Sequence, residues 1–457
     1  MLFSSQFFIL IFLPLSVALY YAMADRYRMR LAAILIASGF FYAWWDPRFV
    51  PLLLGSVGAN WLLVRAFFAT GQQTFLTLGV LFNLSLLGLF KYANFLAESV
   101  LGLMGITHQP WTIILPLGIS FFTFQQISYL IDVKRGEANA YGMLEYANYV
   151  SFFPQLIAGP IVRHGELIPQ FSRDPFRPEI TEMFGRGIVL FVLGLIKKVF
   201  FADELGAIAD EGFAVATTIS SADAWTAALA YSLQLYFDFS SYSDMAIGLA
   251  AMFGFVLPIN FDAPYKARNI REFWRRWHIT LSNFLRDYVY IPLGGSHGGL
   301  AATCIVVMIT MLLCGLWHGA GWTFVAWGAL HGLAICANRT WLVTGLRVPV
   351  VFGWALTMVL VVIGWVLFRA PTFSDAGSML RSMAIPQLNA SNRFDAEDWR
   401  FVALGVGFSI LGPTNWELVR KSFIQSRAVA VFAALALMIV CLRVGQGRGL
   451  EFIYFQF

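Results

Sequence analysis

Two histidines in this chain, His318 and His331, stand where a side chain has little water around it, and they are the first candidates for chemistry; a third, His278, lies in a cationic stretch. His318 lies in LLCGLWHGAGW, His331 in FVAWGALHG and His278 in NIREFWRRWHITLSNFLRD. A neutral imidazole is the side chain best suited to take a proton near pH 7. Ionisable residues inside membrane-type sequence are also disproportionately functional. The competing reading for each is an interior histidine held by hydrogen bonds. His318 ends an apolar stretch, and Gly315, Gly319 and Gly321 beside it let a backbone or a ligand approach closely. That ranks it first. His331 has no basic stretch beside it and ranks second.

The surroundings of His278 are cationic and aromatic. Lys266, Arg268, Arg271, Arg275, Arg276 and Arg286 alternate with Trp274, Trp277 and Tyr288. Read as one helix, Arg271, Arg275, His278 and Ser282 share a face while Trp274, Trp277 and Leu281 form another. Six cations cannot face lipid, at ~2.5–3.5 kcal/mol each near the bilayer centre. Two readings stand. One is an amphipathic interfacial helix with snorkelling arginines; the other is a cationic mouth for an anionic substrate such as a phosphate-bearing coenzyme.

Asp238 and Asp244 fall in YSLQLYFDFSSYSDMAIG, and their spacing sets them apart around a helix, against a paired-carboxylate site. They are expected to hold helices together or to orient an arginine of the basic segment, with a proton relay as the alternative. His108, His164 and His297 sit in or beside polar connections and read as surface residues. No P-loop, Rossmann glycine pattern, G-x-S-x-G elbow or HExxH occurs. Cys304, Cys314, Cys336 and Cys441 lie in apolar segments without paired spacing. They read as small buried residues, and neither a disulfide framework nor a metal site is expected.

The elements that must position these residues are membrane helices. Hydrophobic residues make up 59% of the chain and charged residues 12%, against roughly 25% charged in an ordinary soluble domain. Apolar runs recur at about 3–23, 31–45, 49–69, 74–90, 111–131, 185–202, 224–256, 301–317, 322–338, 350–368, 400–412 and 427–442. Some are short enough to be re-entrant or interfacial, which leaves roughly eleven spans at ~20 residues each. The first run reads as a transmembrane helix and not as a cleaved signal. Prolines, glycines and amides in PLGISFFTFQQISYLIDV and SFFPQLIAGPIVR predict broken helices buried in protein or lining a cavity.

The basic excess of 31 − 26 = 5 fits cytoplasmic loops and anionic headgroups, and basic residues set between apolar spans argue against nucleic acid. Arg26, Arg28 and Arg30 predict a cytoplasmic first loop and an N-terminus outside. Arg163, Arg173, Arg177 and Arg186 place the 162–186 loop inside. The following loop carries Asp203, Glu204, Asp210, Glu211 and Asp223 without a cation and is expected outside. The stretch from Arg381 to Arg400 is the main late extramembrane loop. No linker or repeat marks a second domain.

Taken together, the chain resembles the membrane-bound O-acyltransferases, in the bacterial branch that serves alginate O-acetylation and D-alanyl transfer. The likeness rests on FSSQFFILIFLPL, FYAWW, FKYANF, LPLGISFFTFQQISYLIDVKRG, FFPQLIAGPIVR, IKKVFFAD, LQLYFDFSSYSDMAIGL, NIREFWRRWHITLSNFLRDYVYIPLGG, GLWHGAGW and FIYFQF. It covers essentially the whole chain, with the alginate flavour strongest in YAWW, FKYANF and YFDFSSYSD. The short loop SHGGLAATC after Gly295 departs from the pattern by lacking an Arg-Asn pair.

The resemblance implies an all-α integral membrane protein, a ring of tilted helices around a central tunnel with short re-entrant and interfacial helices, in a single domain over 1–457 with its signature core at 111–340. It places the family's near-invariant histidine on His318. The second motif position, Asn in eukaryotic members and His in bacterial ones, falls on His278. His318 is then expected as general base, kept neutral by burial, and His278 to orient the donor or stabilise an oxyanion. Lys266, Arg268, Arg271, Arg275, Arg276, Trp274 and Trp277 are expected to bind the donor. Asp238, Asp244, Asn283 and His331 are the polar residues expected in the tunnel.

No metal or permanently bound cofactor is implied; acetyl-CoA or a related thioester is the donor. The implied setting is the bacterial inner membrane and its lipids, with a periplasmic SGNH-type O-acetyltransferase and other polysaccharide-modification proteins as partners. Alginate is the first polymer expected, and cellulose or another the next. A transporter or scaffold of a polysaccharide machine, and a direct lipid or protein acyltransferase, remain as alternatives.

Overall fold

The computed structural model describes residues 1–386, 393–445 and 452–453. Among them every regular element is a helix. Five helices are long and apolar enough to cross a membrane: Pro47–Thr70, Thr74–Leu103, Gly299–His318, Val350–Arg369 and Arg427–Gly445. The apolar helix Phe8–Ala22 is shorter. The remaining apolar runs are helical in whole or in part, but they are short, interrupted or carry more polar residues. Residues 387–392 of the expected late loop, and 454–457 of FIYFQF, lie outside the described residues.

The described chain groups into two compact units. The first holds Met1–Val192, Ser243–Pro258 and Phe423–Gly447; the second holds Leu193–Tyr242, Ile259–Ser422 and Arg448–Phe457. In the first, an amide network ties three helices together, because polar groups set in apolar surroundings must bond one another. The Asn60 amide donates to the Ser56 carbonyl at 2.9 Å and to Gln126 Oε1 at 3.0 Å. Asn83 donates to Asn60 Oδ1 at 2.7 Å and Gln126 to Ser56 Oγ at 2.9 Å.

Arg30 is buried rather than solvated with Arg26 and Arg28. Its guanidinium donates to the carbonyls of Phe171 at 2.8 Å and Ala24 at 3.1 Å. The two segments expected to be broken are broken. The helix Ile119–Lys134 starts only after left-handed Gly118, and 157–163 is non-helical and almost wholly buried in protein. That burial is the condition under which such backbone is tolerated.

The second unit is built on a hairpin of Gly299–His318 and Trp322–Val343, turned by Gly319–Ala320–Gly321. The two helices touch backbone to backbone. A Cβ on Gly315 would overlap the Phe324 carbonyl, and one on Gly328 would overlap the Met311 carbonyl. Small residues at such crossings are what permit close helix approach. The hairpin carries His318 at its turn and His331 two turns up the returning helix, so its packing sets both. Gly328→Leu is therefore expected to prevent stable accumulation, since overpacking alone costs about 1–3 kcal/mol and more against backbone. Gly39→Leu, where nothing lies within 4 Å, is the control; immunoblots of membrane fractions read both.

Candidate functional site

The basic, aromatic stretch is not one helix. Its first part, Ile270–Arg276, is capped by the Asn269 side chain, which accepts from the Glu272 N–H at 3.0 Å. The helix ends in extended Trp277, and His278 is left-handed at φ 42°, ψ 55°. A second helix, Ile279–Leu285, follows and passes into a π-helical turn over Arg286–Tyr290. The shared face expected for Arg271, Arg275, His278 and Ser282 is thereby lost, because the break resets the helical phase.

His278 and Ala263 are the non-glycine residues with positive φ among those described. Such a conformation costs on the order of 1–3 kcal/mol and persists only where the surroundings impose it. Asn260 imposes it. Its backbone carbonyl accepts from the Ile279 N–H at 2.9 Å. Its side-chain oxygen lies 2.9 Å from Thr280 Oγ1, 3.3 Å from the Thr280 N–H and 3.1 Å from His278 Nδ1.

The structure brings the three candidate histidines together. His278 and His331 are 0% exposed and His318 is 3% exposed. The rings of His278 and His318 are 6.3 Å apart. Phe239 meets the edge of His278 at 4.7 Å, Trp317 stands at 6.0 Å, and Phe368 lies 5.3 Å from His318. Burial pushes the pKa of His278 down to about 3, so the ring is neutral at physiological pH.

His331 is set off from this pair by Trp327, whose ring is 5.2 Å from His318 and 4.8 Å from His331. Its Nδ1 accepts from Trp274 Nε1 at 3.3 Å, and Gly364 presses on Nε2, where an added Cβ would come within 3.0 Å. His331 therefore ties helices together, while His278 and His318 form a second ring pair beside it.

The family model described as the membrane-bound O-acyltransferase family matches residues 65–368. The chain belongs to the membrane-bound O-acyltransferases. It is 45% identical over 409 residues to the "Probable alginate O-acetylase AlgI" of Pseudomonas aeruginosa, covering 86% of this chain and 78% of that one. To the "Peptidoglycan O-acetyltransferase" of Helicobacter pylori it is 40% identical over 419 residues, covering 84% and 80%. A "Teichoic acid D-alanyltransferase" of Bacillus subtilis is 27% identical over 240 residues, half of this chain and 61% of that one. The chain is an O-acyltransferase.

In this O-acyltransferase the cations expected at the donor differ in how free they are. Arg276 is held by Glu272 at 3.0 Å and Asp262 at 3.4 Å. Lys266 donates to the Gly412 carbonyl at 2.7 Å, beyond the end of the helix Ala396–Leu411. Arg268 spends its backbone N–H on Glu272 and keeps an exposed side chain. Arg271 stands among like charges: burial first, then Arg339 and Arg275, hold its pKa below the ordinary value. Arg339 was not among the expected residues; it reaches Tyr290 Oη at 3.0 Å from the helix that carries His331. Trp277 is fully buried between Phe273, Phe261 and Trp365. Asn283 is half-buried on the helix that follows His278.

Of the two roles expected for the acidic residues, Asp238 fills that of holding helices together. Asp238 pairs with a lysine and not with an arginine of the basic segment. Lys198 Nζ lies 2.9 Å from Asp238 and 2.7 Å from Asp203, all three nearly buried. The other Asp238 oxygen accepts from the Ile453 N–H at 2.7 Å, and Phe452 stacks on Tyr242 at 4.6 Å. Asp244 is buried on the same long helix, Ser221–Met252.

His164, expected at the surface, is 5% exposed. It lies between Tyr141 Oη at 2.9 Å and Asp132 Oδ2 at 3.1 Å, a relay that ties a loop to the helix Ile119–Lys134. A lysine inside the run 185–202 was the available signal for Lys198. Nothing local marks Asn260 or His164.

Removing one member of a buried pair strands the others, at about 3–5 kcal/mol. Lys198→Met is accordingly expected to lower the thermal midpoint of the detergent-purified protein sharply and to reduce its level in membranes. An unchanged midpoint would show that the cluster carries no stability.

Proposed function

We propose that this O-acyltransferase takes an acetyl group from a cytoplasmic thioester donor, acetyl-CoA first, and passes it across the bacterial inner membrane for O-acetylation of an exopolysaccharide. Alginate is the first polymer and cellulose or another the next. The observation that carries the reading is the pair of buried imidazoles, His278 and His318, 6.3 Å apart inside a wall of aromatic rings. The relatives named for alginate and peptidoglycan O-acetylation support acetyl as the group transferred.

His318 acts as the general base. It takes the proton of an acceptor hydroxyl as that oxygen attacks the thioester carbonyl; the C–S bond breaks, and the thiolate leaves and takes up the proton that His318 received. His278 orients the donor or stabilises the oxyanion that forms. Arg271 and Arg275, which have no close carboxylate partner among the described residues, are suited to the donor's phosphates, with Arg268 beside them. The reading extends to about eleven spans around a central tunnel, an N-terminus on the periplasmic side and a periplasmic SGNH-type O-acetyltransferase that receives the group.

The test is the acetyl content of the secreted polysaccharide in cells whose only copy carries His318→Ala. Acetylation should fall to background while membrane protein levels stay normal. Persistent acetylation with a folded protein would make His318 structural.

A further inference from the structure

The contacts that meet at Asn260 define more than a strained turn. The Thr280 backbone N–H can only donate, and it lies 3.3 Å from the same Asn260 side-chain atom that meets the Thr280 hydroxyl at 2.9 Å. That atom is therefore the amide oxygen. His278 Nδ1, 3.1 Å from it, must then carry the ring proton, since two acceptors cannot bond each other. A neutral imidazole has a single N–H, so Nε2 is left with a bare lone pair. Nε2 is buried and has no hydrogen-bond partner among the described residues. An acceptor left in this way costs about 1–3 kcal/mol, which invites a substrate group to satisfy it.

We propose that Asn260 is a positioning residue for acyl transfer: it fixes His278 in the Nδ1–H tautomer, so that Nε2 meets the substrate as a hydrogen-bond acceptor and never as a donor to an oxyanion. The inference rests on the reading given under Proposed function and narrows it. Of the two roles open to His278, orientation of the donor remains and oxyanion stabilisation falls away. The group that satisfies Nε2 is an N–H or O–H in the arm of the thioester donor.

The same contacts explain why the turn is strained. One residue holds the backbone of Ile279 through its carbonyl and both the backbone and side chain of Thr280 through its amide oxygen. This grip swings the His278 ring against Asn260 on one side, with Phe239, Trp317 and His318 around it. A residue serving only as a backbone clamp would need no bond to the ring.

Two readouts separate positioning from mere support, both on full-length protein in lipid nanodiscs. The first is 15N NMR of labelled histidine, with the His278 signals assigned by their loss in His278→Gln. The wild type should show a protonated Nδ1 and an unprotonated Nε2 for His278. A proton on Nε2 would overturn the proposal whatever the activity. The second is release of coenzyme A from acetyl-CoA. Asn260→Leu should raise KM for acetyl-CoA about tenfold, the equivalent of one lost hydrogen bond, with a smaller change in kcat. Asn260→Asp, whose carboxylate still accepts from Nδ1–H, should recover most of the loss. Thr280→Val, which removes one bond of the clamp but leaves the one to the ring, should raise KM by clearly less than Asn260→Leu.

Equal KM values for Asn260→Leu and wild type would refute the positioning role. Should Asn260→Leu fail to fold, the wild-type tautomer and the Asn260→Asp and Thr280→Val kinetics still decide. A wild type that releases no coenzyme A would instead count against acetyl-CoA as donor, and the NMR result would stand by itself.

Discussion

A histidine does not sit in a left-handed conformation unless something holds it, and the grip of Asn260 on residues 278–280 is the interaction on which the rest of this centre depends. Without it the two short helices, Ile270–Arg276 and Ile279–Leu285, would tend to run on as one. The ring of His278 would then follow Arg271 and Arg275 around a common face. With the break, the cations stay on one element while the imidazole turns into the aromatic enclosure beside His318. Local strain is offset by hydrogen bonds made elsewhere, a pattern common at reacting centres.

Protein of this composition puts polar groups into apolar surroundings for two reasons, and the structure separates them. Lys198 with Asp203 and Asp238, His164 with Tyr141 and Asp132, and His331 with Trp274 each have partners within bonding distance. They serve as connections between elements. His278, like His331, has one ring nitrogen bonded and the other buried without a hydrogen-bond partner among the described residues; on His331 that nitrogen lies against Gly364, whereas the His278 ring stands beside His318.

Much of this was legible in the residues. Composition and the length of the apolar runs gave the helical membrane class, and His318 and His331 stood out as ionisable residues in tryptophan-rich, apolar sequence. The family motifs pointed to His318 and to His278. What was not legible depends on contacts distant in sequence. Periodicity continued a single helix through Trp277 and His278, because nothing there is a glycine or proline; the break is imposed by Asn260, eighteen residues earlier. His164 looked like a loop residue because its partners, Asp132 and Tyr141, are brought to it by the fold. Asp238 was expected to hold helices together or to orient a nearby arginine; it does the first, through Lys198, some forty residues upstream.

The most direct measurement of the account is a structure of the protein with a non-hydrolysable thioester analogue of acetyl-CoA, determined by electron cryomicroscopy in nanodiscs. The account predicts the acyl carbon between the rings of His278 and His318, an N–H or O–H of the analogue's arm on His278 Nε2, and phosphates towards Arg271 and Arg275. An acyl end bound beyond Trp327 at His331, or away from all three histidines, would contradict it.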